Sequence, residues 1–276
     1  MHSHNQQERS FSKASSEVVR SFMARTYHSD INLHQIGDEK FVTKTSRHHS
    51  EGDSRARQGF RNEVIALKVA NEHNHIAKIL AFDHWHMSMR LRLEAGKSLN
   101  EWADAANISI LSTAECGMIC KQMSSALAYL HALPIIHDDV KPDNIMWCRD
   151  LQHAVLIDFD AAIVMLPTNF NTSGTPNYAP PEYLLEYKSE KGDIWALGIT
   201  MLFAFGYVPL PNGDWILPHA LARESGPYEK MTEWLAQVEA LRAGLIKANP
   251  LLAEMLNSDP DRRVNSRELS QRLELP

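Results

Sequence analysis

A chain that places an Asp, a Lys two residues on and an Asn five residues on in one loop, and soon after ends an apolar strand in another Asp, is tightly constrained. Residues 135 to 144 read Ile-Ile-His-Asp-Asp-Val-Lys-Pro-Asp-Asn, with Asp139, Lys141 and Asn144 as those three positions. Val155-Leu156-Ile157 is a short apolar strand that leads directly into Asp158-Phe159-Asp160. A third segment, Gly174-Thr175-Pro176-Asn177-Tyr178-Ala179-Pro180-Pro181-Glu182, follows. On a tight loop the first three side chains suit a proton acceptor, a phosphate contact and a metal ligand. Asp158 suits a second oxygen ligand, and two protein oxygens beside phosphates and waters is a usual setting for Mg²⁺.

The chain around these segments divides into two parts. Residues 17–95 read as a small sheet with one helix, and residues 96–276 as a mostly helical part. Ile31 to Ile36 alternates apolar and polar residues, as a half-buried strand does. Gly37-Asp38-Glu39 is a turn, and Phe41-Val42-Thr43 opens a strand that carries Lys44. A helical pattern follows through Glu63, Val64 and Leu67, then strands over Ile76 to Phe82 and Met87 to Leu93. Ser112 with Glu115 is a capping-box helix start, and that helix runs to about Leu133. Residues 189 to 205, 228 to 247, 249 to 257 and 265 to 273 also read as helices. Residues 1–16 are polar and read as a flexible segment. The fold class expected is therefore α+β with two lobes.

Phosphoryl transfer requires a group to orient the acceptor hydroxyl, ligands for divalent metal, and a cation to position the nucleotide. Those are the residue types found here, and the three segments resemble the signature set of the protein kinase family. The resemblance implies Asp139 as catalytic base, Lys141 on the transferring phosphate, and Asn144 and Asp158 on Mg²⁺. It makes Lys44, in Phe-Val-Thr-Lys, the ATP-positioning lysine. Glu63 is its ion-pair partner, and Glu94 lies in the connector that meets adenine. Asp193-Ile194-Trp195-Ala196-Leu197-Gly198 resembles the helix whose Asp braces the catalytic loop. Arg263 is the implied partner of Glu182. Lys141 together with Gly-Thr-Pro before Pro-Pro-Glu resembles the serine/threonine branch, so a protein Ser/Thr hydroxyl is the implied acceptor.

Three positions depart from the pattern. No Gly-x-Gly-x-x-Gly precedes Lys44, and the segment in its place reads Ala24-Arg25-Thr26-Tyr27-His28-Ser29-Asp30. Two readings stand: Arg25, Thr26, His28 or Ser29 meets phosphate, or the segment is a plain hairpin with no phosphate role. Asp138 stands where many kinases have an Arg that pairs with a phosphorylated loop. An anion there predicts that phosphate on Thr168, Thr172 or Ser173 does not activate through this residue. Asp160 replaces the Gly after Asp-Phe, and Asp tolerates left-handed backbone better than most residues.

The resemblance implies a serine/threonine protein kinase that uses ATP and Mg²⁺. The three departures motivate an alternative, a pseudokinase acting as a binding or scaffold module. The net charge of −6 argues against a general nucleic-acid or anionic-membrane binder, which needs clustered cations. No stretch approaches the roughly 20 apolar residues of a membrane span. With no apolar signal-type run at the N-terminus, the expected location is cytoplasmic or nuclear rather than secreted. Cys116, Cys120 and Cys148 suit a reducing compartment, and the first two share one helix face.

Overall fold

The structure is a computed structural model that describes residues 18–25, 29–47, 54–164 and 170–274. The segment assigned above to residues 1–16, and Thr26, His28 and Thr168, lie outside the described residues. Five strands form the first sheet: β1 (Val18–Arg25), β2 (Ser29–Ile36), β3 (Glu39–Ser46), β4 (Ile79–Asp83) and β5 (Ser88–Arg92). Their order is β1-β2-β3-β5-β4, every neighbour antiparallel. The alternation over Ile31 to Ile36 is β2, and its register sets Ile31 opposite Lys44. On the other side of β3, Lys44 faces Met89. Lys44 is thus on a central strand, where a pleat buries alternate side chains.

The sequence pattern gave no strand for residues 18–25, which form β1. The strand is largely exposed, with Val19, Phe22 and Met23 open to solvent. Without a buried face it has no period-2 signal to read. The helix α1 (Ser54–Val69) packs against β4, burying Phe60, Glu63, Val64 and Leu67. The spacing i, i+3, i+4, i+7 puts those four on one stripe, so Glu63 is carried inward with the apolar residues.

The second part begins at Gly96. Its φ is +93°, and an added Cβ would stand 2.1 Å from the carbonyl oxygen of Trp147, so only glycine fits. Next, β6 (Lys97–Ser98), α2 (Thr113–Ala132), β7 (Ile135–Ile136), β8 (Ile145–Cys148), β9 (His153–Leu156) and β10 (Ile163–Val164) build the centre. The strands form a three-stranded sheet β6-β8-β9 and a pair β10-β7. Ser112 caps α2: its Oγ accepts from the Glu115 amide, and the Glu115 carboxylate accepts from the Ser112 amide. Such a cap contributes about 1 kcal/mol and fixes where the helix starts.

The remaining helices are α3 (Glu190–Ala204), α4 (Gly226–Ala248), α5 (Pro250–Met255) and α6 (Ser266–Glu274). In α3 every residue from Asp193 to Ala204 is buried, as expected of a helix apolar all round. Cys116 and Cys120 are buried on α2, where burial pushes their thiols up to about 11 and about 12. The Cys116 thiol donates to the Ala204 carbonyl. These are packed side chains of the core. Among the described residues no helix is long and apolar enough to cross a membrane.

One ion pair joins distant parts of this core. Arg263 donates to both oxygens of Glu182, at 2.7 and 2.9 Å, and both side chains are almost fully buried. Its other N–H groups reach the carbonyls of Lys191 and Asn257, so the guanidinium is well satisfied. Removing one partner of such a pair leaves a buried charge, at a cost of about 3–5 kcal/mol. We expect Arg263→Met to lower the thermal midpoint by roughly 10 °C. Adding Glu182→Gln should recover part of that loss. A calorimetric midpoint unchanged by Arg263→Met would contradict the assignment.

Candidate active site

The loop from His137 to Asn144, the catalytic loop of the sequence reading, is fixed from below by α3. Asp193 is buried, and its carboxylate accepts from the amides of His137 and Asp138, each at 2.9 Å, and from His131 Nε2 at 2.9 Å. Burial alone would raise its pKa, but these donors and the nearby imidazoles hold it below the usual value. Asp138 is thereby kept at a φ of +64°. A non-glycine residue there costs about 1–2 kcal/mol, so the contacts from Asp193 are what sustain the bend. His137 Nε2 donates to the Ile157 carbonyl, and its ring meets Phe159 edge-on at 4.7 Å.

That bend presents Asp139. Its Oδ2 accepts from Lys141 Nζ at 2.7 Å and from Asn144 Nδ2 at 3.0 Å. Its Oδ1 accepts from Thr175 Oγ1 at 2.6 Å, while Lys141 Nζ donates to Thr175 Oγ1 at 2.8 Å. Asn144 Nδ2 also reaches the Asp139 carbonyl, which leaves the amide oxygen of Asn144 as the atom it can offer to a cation. The structure therefore brings Asp139, Lys141, Asn144 and Thr175 into one hydrogen-bonded group.

A second group surrounds Lys44. Its ammonium donates to Glu63 Oε1 at 2.7 Å, to Asp158 Oδ1 at 2.6 Å and to Asp160 Oδ1 at 2.8 Å. Burial would depress the Lys44 pKa, but the three carboxylates hold it well above the ordinary value. Burial, with the charges of Asp160 and Asp158, pushes Glu63 up against the opposing pull of Lys44. One oxygen from each of Glu63, Asp158 and Asp160 lies within 4.8 Å of the others. Asp158, with the amide oxygen of Asn144, offers the hard oxygen donors that the sequence reading assigns to a cation. Their chemistry fits Mg²⁺. The two groups are joined by backbone: the Ile157 amide donates to the Asn144 carbonyl at 2.9 Å, one residue before Asp158. A cavity of about 710 Å³ opens beside Lys44, Glu63 and Asp160 and extends to Phe170–Ser173.

The departures from the pattern take particular forms. The left-handed backbone is at Asp138 and at Asp158, with φ of +64° and +62°, and Asp160 is not among the described residues with positive φ. Asp160 is thus not filling a glycine's conformation. It supplies a third carboxylate to Lys44, a role that sequence reasoning missed. Upstream, β1 and β2 pair antiparallel, and Arg25 Nε donates to Asp30 Oδ1 at 2.7 Å. Glu94 follows β5, and its carboxylate receives two N–H groups of Arg92, both at 3.0 Å. Asp138 pairs with Lys188 at 2.5 Å and accepts from Ser173 Oγ. Lys188 lies 50 residues from Asp138 in no noticeable motif, so nothing in the sequence pointed to it.

The family model described as the protein kinase domain matches residues 31–273. The probable serine/threonine-protein kinase HSL1 of Saccharomyces cerevisiae is 26% identical over 237 residues, which is 81% of this chain and 14% of that protein. The serine/threonine-protein kinase GG21441 of Drosophila erecta is 30% identical over 215 residues, 75% of this chain and 28% of that protein. The serine/threonine-protein kinase CG17528 of Drosophila melanogaster is 29% identical over a like span. The chain thus spans less than a third of each of these relatives. Members of the matched family use ATP and Mg²⁺. A match over residues 31–273, on a two-part fold with these two charged groups at its centre, shows that the chain belongs to the protein kinase domain family.

Proposed function

We propose that this chain is a protein serine/threonine kinase domain that moves the γ-phosphoryl group of ATP to a seryl or threonyl hydroxyl of a protein. The observation that carries the reading is the joining of the Asp139 group to the Lys44 group through the Asn144–Ile157 backbone contact. One group handles the acceptor and the other the nucleotide. The relatives' names and the pairing of Lys141 with Thr175 support a Ser/Thr acceptor.

In the proposed transfer the acceptor oxygen bonds to the γ-phosphorus, and the bond to the bridging oxygen of ADP breaks. The hydroxyl proton passes to Asp139, whose carboxylate is oriented by Lys141, Thr175 and Asn144. Lys141 offsets charge on the moving group, and Lys44 draws the remaining phosphates into register, with Glu63 holding its ammonium. Asn144 and Asp158 are the residues that would hold Mg²⁺, which when bound neutralises phosphate charge and fixes its geometry. Little covalent work falls to the protein, so positioning accounts for most of the effect.

A second reading, a binding or scaffold module with weak or no transfer, is favoured by one observation. Lys44 has three N–H donors, and three carboxylates already engage them. Nucleotide must displace at least one. Two experiments separate the readings. Asp139→Asn should reduce labelled phosphate transfer from ATP to casein by about 100-fold or more, while a cooperative thermal transition shows that the variant still folds. Equal transfer by wild type and variant, or none by wild type, would contradict the kinase reading. Saturating ATP with Mg²⁺ should raise the thermal midpoint, since a ligand at 100 times its Kd adds about 2.7 kcal/mol. No rise would favour the scaffold reading.

A further inference from the structure

Lys188 sits in the loop before α3, and its side chain is only 9% exposed. Its ammonium shares three N–H groups among four oxygens within hydrogen-bond distance: Asp138 Oδ2 at 2.5 Å, Asn171 Oδ1 at 2.7 Å, and the carbonyl and hydroxyl oxygens of Ser173, both at 2.9 Å. Ser173 Oγ in turn donates to the same Asp138 oxygen. The ammonium lies 5.7 Å from the ring centroids of both Phe170 and Tyr183, which meet edge-on. A lysine so desolvated, with aromatic faces and several acceptors, is a fixed cation rather than a solvated one. Burial pushes Asp138 up to about 7 against the pull of Lys188, so the pair is held in a poorly solvated place.

The position of this contact gives it a consequence. Asp138 immediately precedes Asp139, and Asp193 anchors its amide. Ser173 is two residues before Thr175, whose hydroxyl bonds to Asp139 and Lys141. Between them Gly174 takes a φ of +111°, a conformation that favours glycine, and an added Cβ would stand in ordinary contact, at 3.5 Å, with the Asp138 carbonyl oxygen. Lys188 therefore clamps the chain to the catalytic loop just before Thr175. The contact is complete with a neutral serine: one anion at 138, one cation at 188 and a hydroxyl between them. A phosphate dianion on Ser173 would bring two negative charges into the space that Asp138 and the Lys188 ammonium already fill, more than that ammonium offsets.

We propose that Lys188 is a positioning residue that holds residues 171–175 on the catalytic loop in the unmodified chain, so that transfer to a protein hydroxyl requires no phosphate on that segment. The proposal rests on the kinase reading for its effect on catalysis, but its structural content does not.

The test combines kinetics with hydrogen exchange on the full chain. Wild type treated with a protein phosphatase, and shown by mass to be unmodified, should retain its transfer to casein. Lys188→Met should lower kcat/KM for casein about tenfold or more, the loss expected for a charge-assisted contact, while the KM for ATP stays within about twofold. Lys188→Arg should recover most of the loss. Amides of residues 171–175 should exchange faster in Lys188→Met, with those of β7 unchanged. Phosphoserine installed at position 173 during translation should lower transfer rather than raise it. If Lys188→Met does not fold, Ser173→Ala should shift casein kinetics and exchange in the same direction by a smaller amount. Loss of activity on dephosphorylation, activation by phosphoserine, or unchanged exchange and casein kinetics in the folded variants would each overturn the proposal. If wild type transfers no phosphate at all, the kinase reading fails, and the exchange measurements alone still decide whether Lys188 clamps the segment.

Discussion

The structure turns on the buried carboxylate of Asp193. It accepts from two successive backbone amides, those of His137 and Asp138, and from His131 on α2. A buried carboxylate without donors would be expensive, and backbone amides bent out of regular structure without acceptors would be too. Each satisfies the other. The result is a left-handed bend at Asp138 that turns Asp139 toward Lys141 and Thr175. Helix α3 is buried from Asp193 to Ala204, and Asp193 ties the loop at His137 and Asp138 to it.

From this point two charge systems spread in opposite directions. Toward the sheet, the Asn144–Ile157 contact leads to Asp158 and the three carboxylates on Lys44. Toward the loop before α3, Asp138 meets Lys188 and gathers Asn171 and Ser173. Both systems are built around a single lysine ammonium, and both contain an Asp where the family pattern carries Gly or Arg. Asp160 adds a carboxylate beside Lys44, and Asp138 sets an acidic side chain, facing Lys188, where the family pattern carries Arg. The Asp139 group itself follows the family pattern.

Much of this was legible in the sequence because it is written locally. The Ser112–Glu115 cap, the apolar run of α3 and the loop from Asp139 to Asn144 each lie within one short window. Pairs far apart, such as Lys44 with Glu63 and Arg263 with Glu182, were reached only through resemblance to the kinase pattern, and both form in the structure. Where the pattern fell silent, so did the sequence. Residues 18–25 form a strand that is open to solvent and carries no alternation. Asp160 was read for its backbone, while its effect is made by its carboxylate across 116 residues of chain. Lys188 looks like any loop lysine until the fold sets it against Asp138.

The Lys44 group and the Asp139 group are proposed to form one site for phosphoryl transfer. A crystal structure of the chain with Mg²⁺ and a non-hydrolysable ATP analogue tests this. The triphosphate should lie between the two groups, with Lys44 moved off at least one of its three carboxylates onto phosphate and metal held by Asn144 and Asp158. Crystals grown in saturating nucleotide that show Lys44 still bound to Glu63, Asp158 and Asp160, with no nucleotide beside it, would contradict the claim.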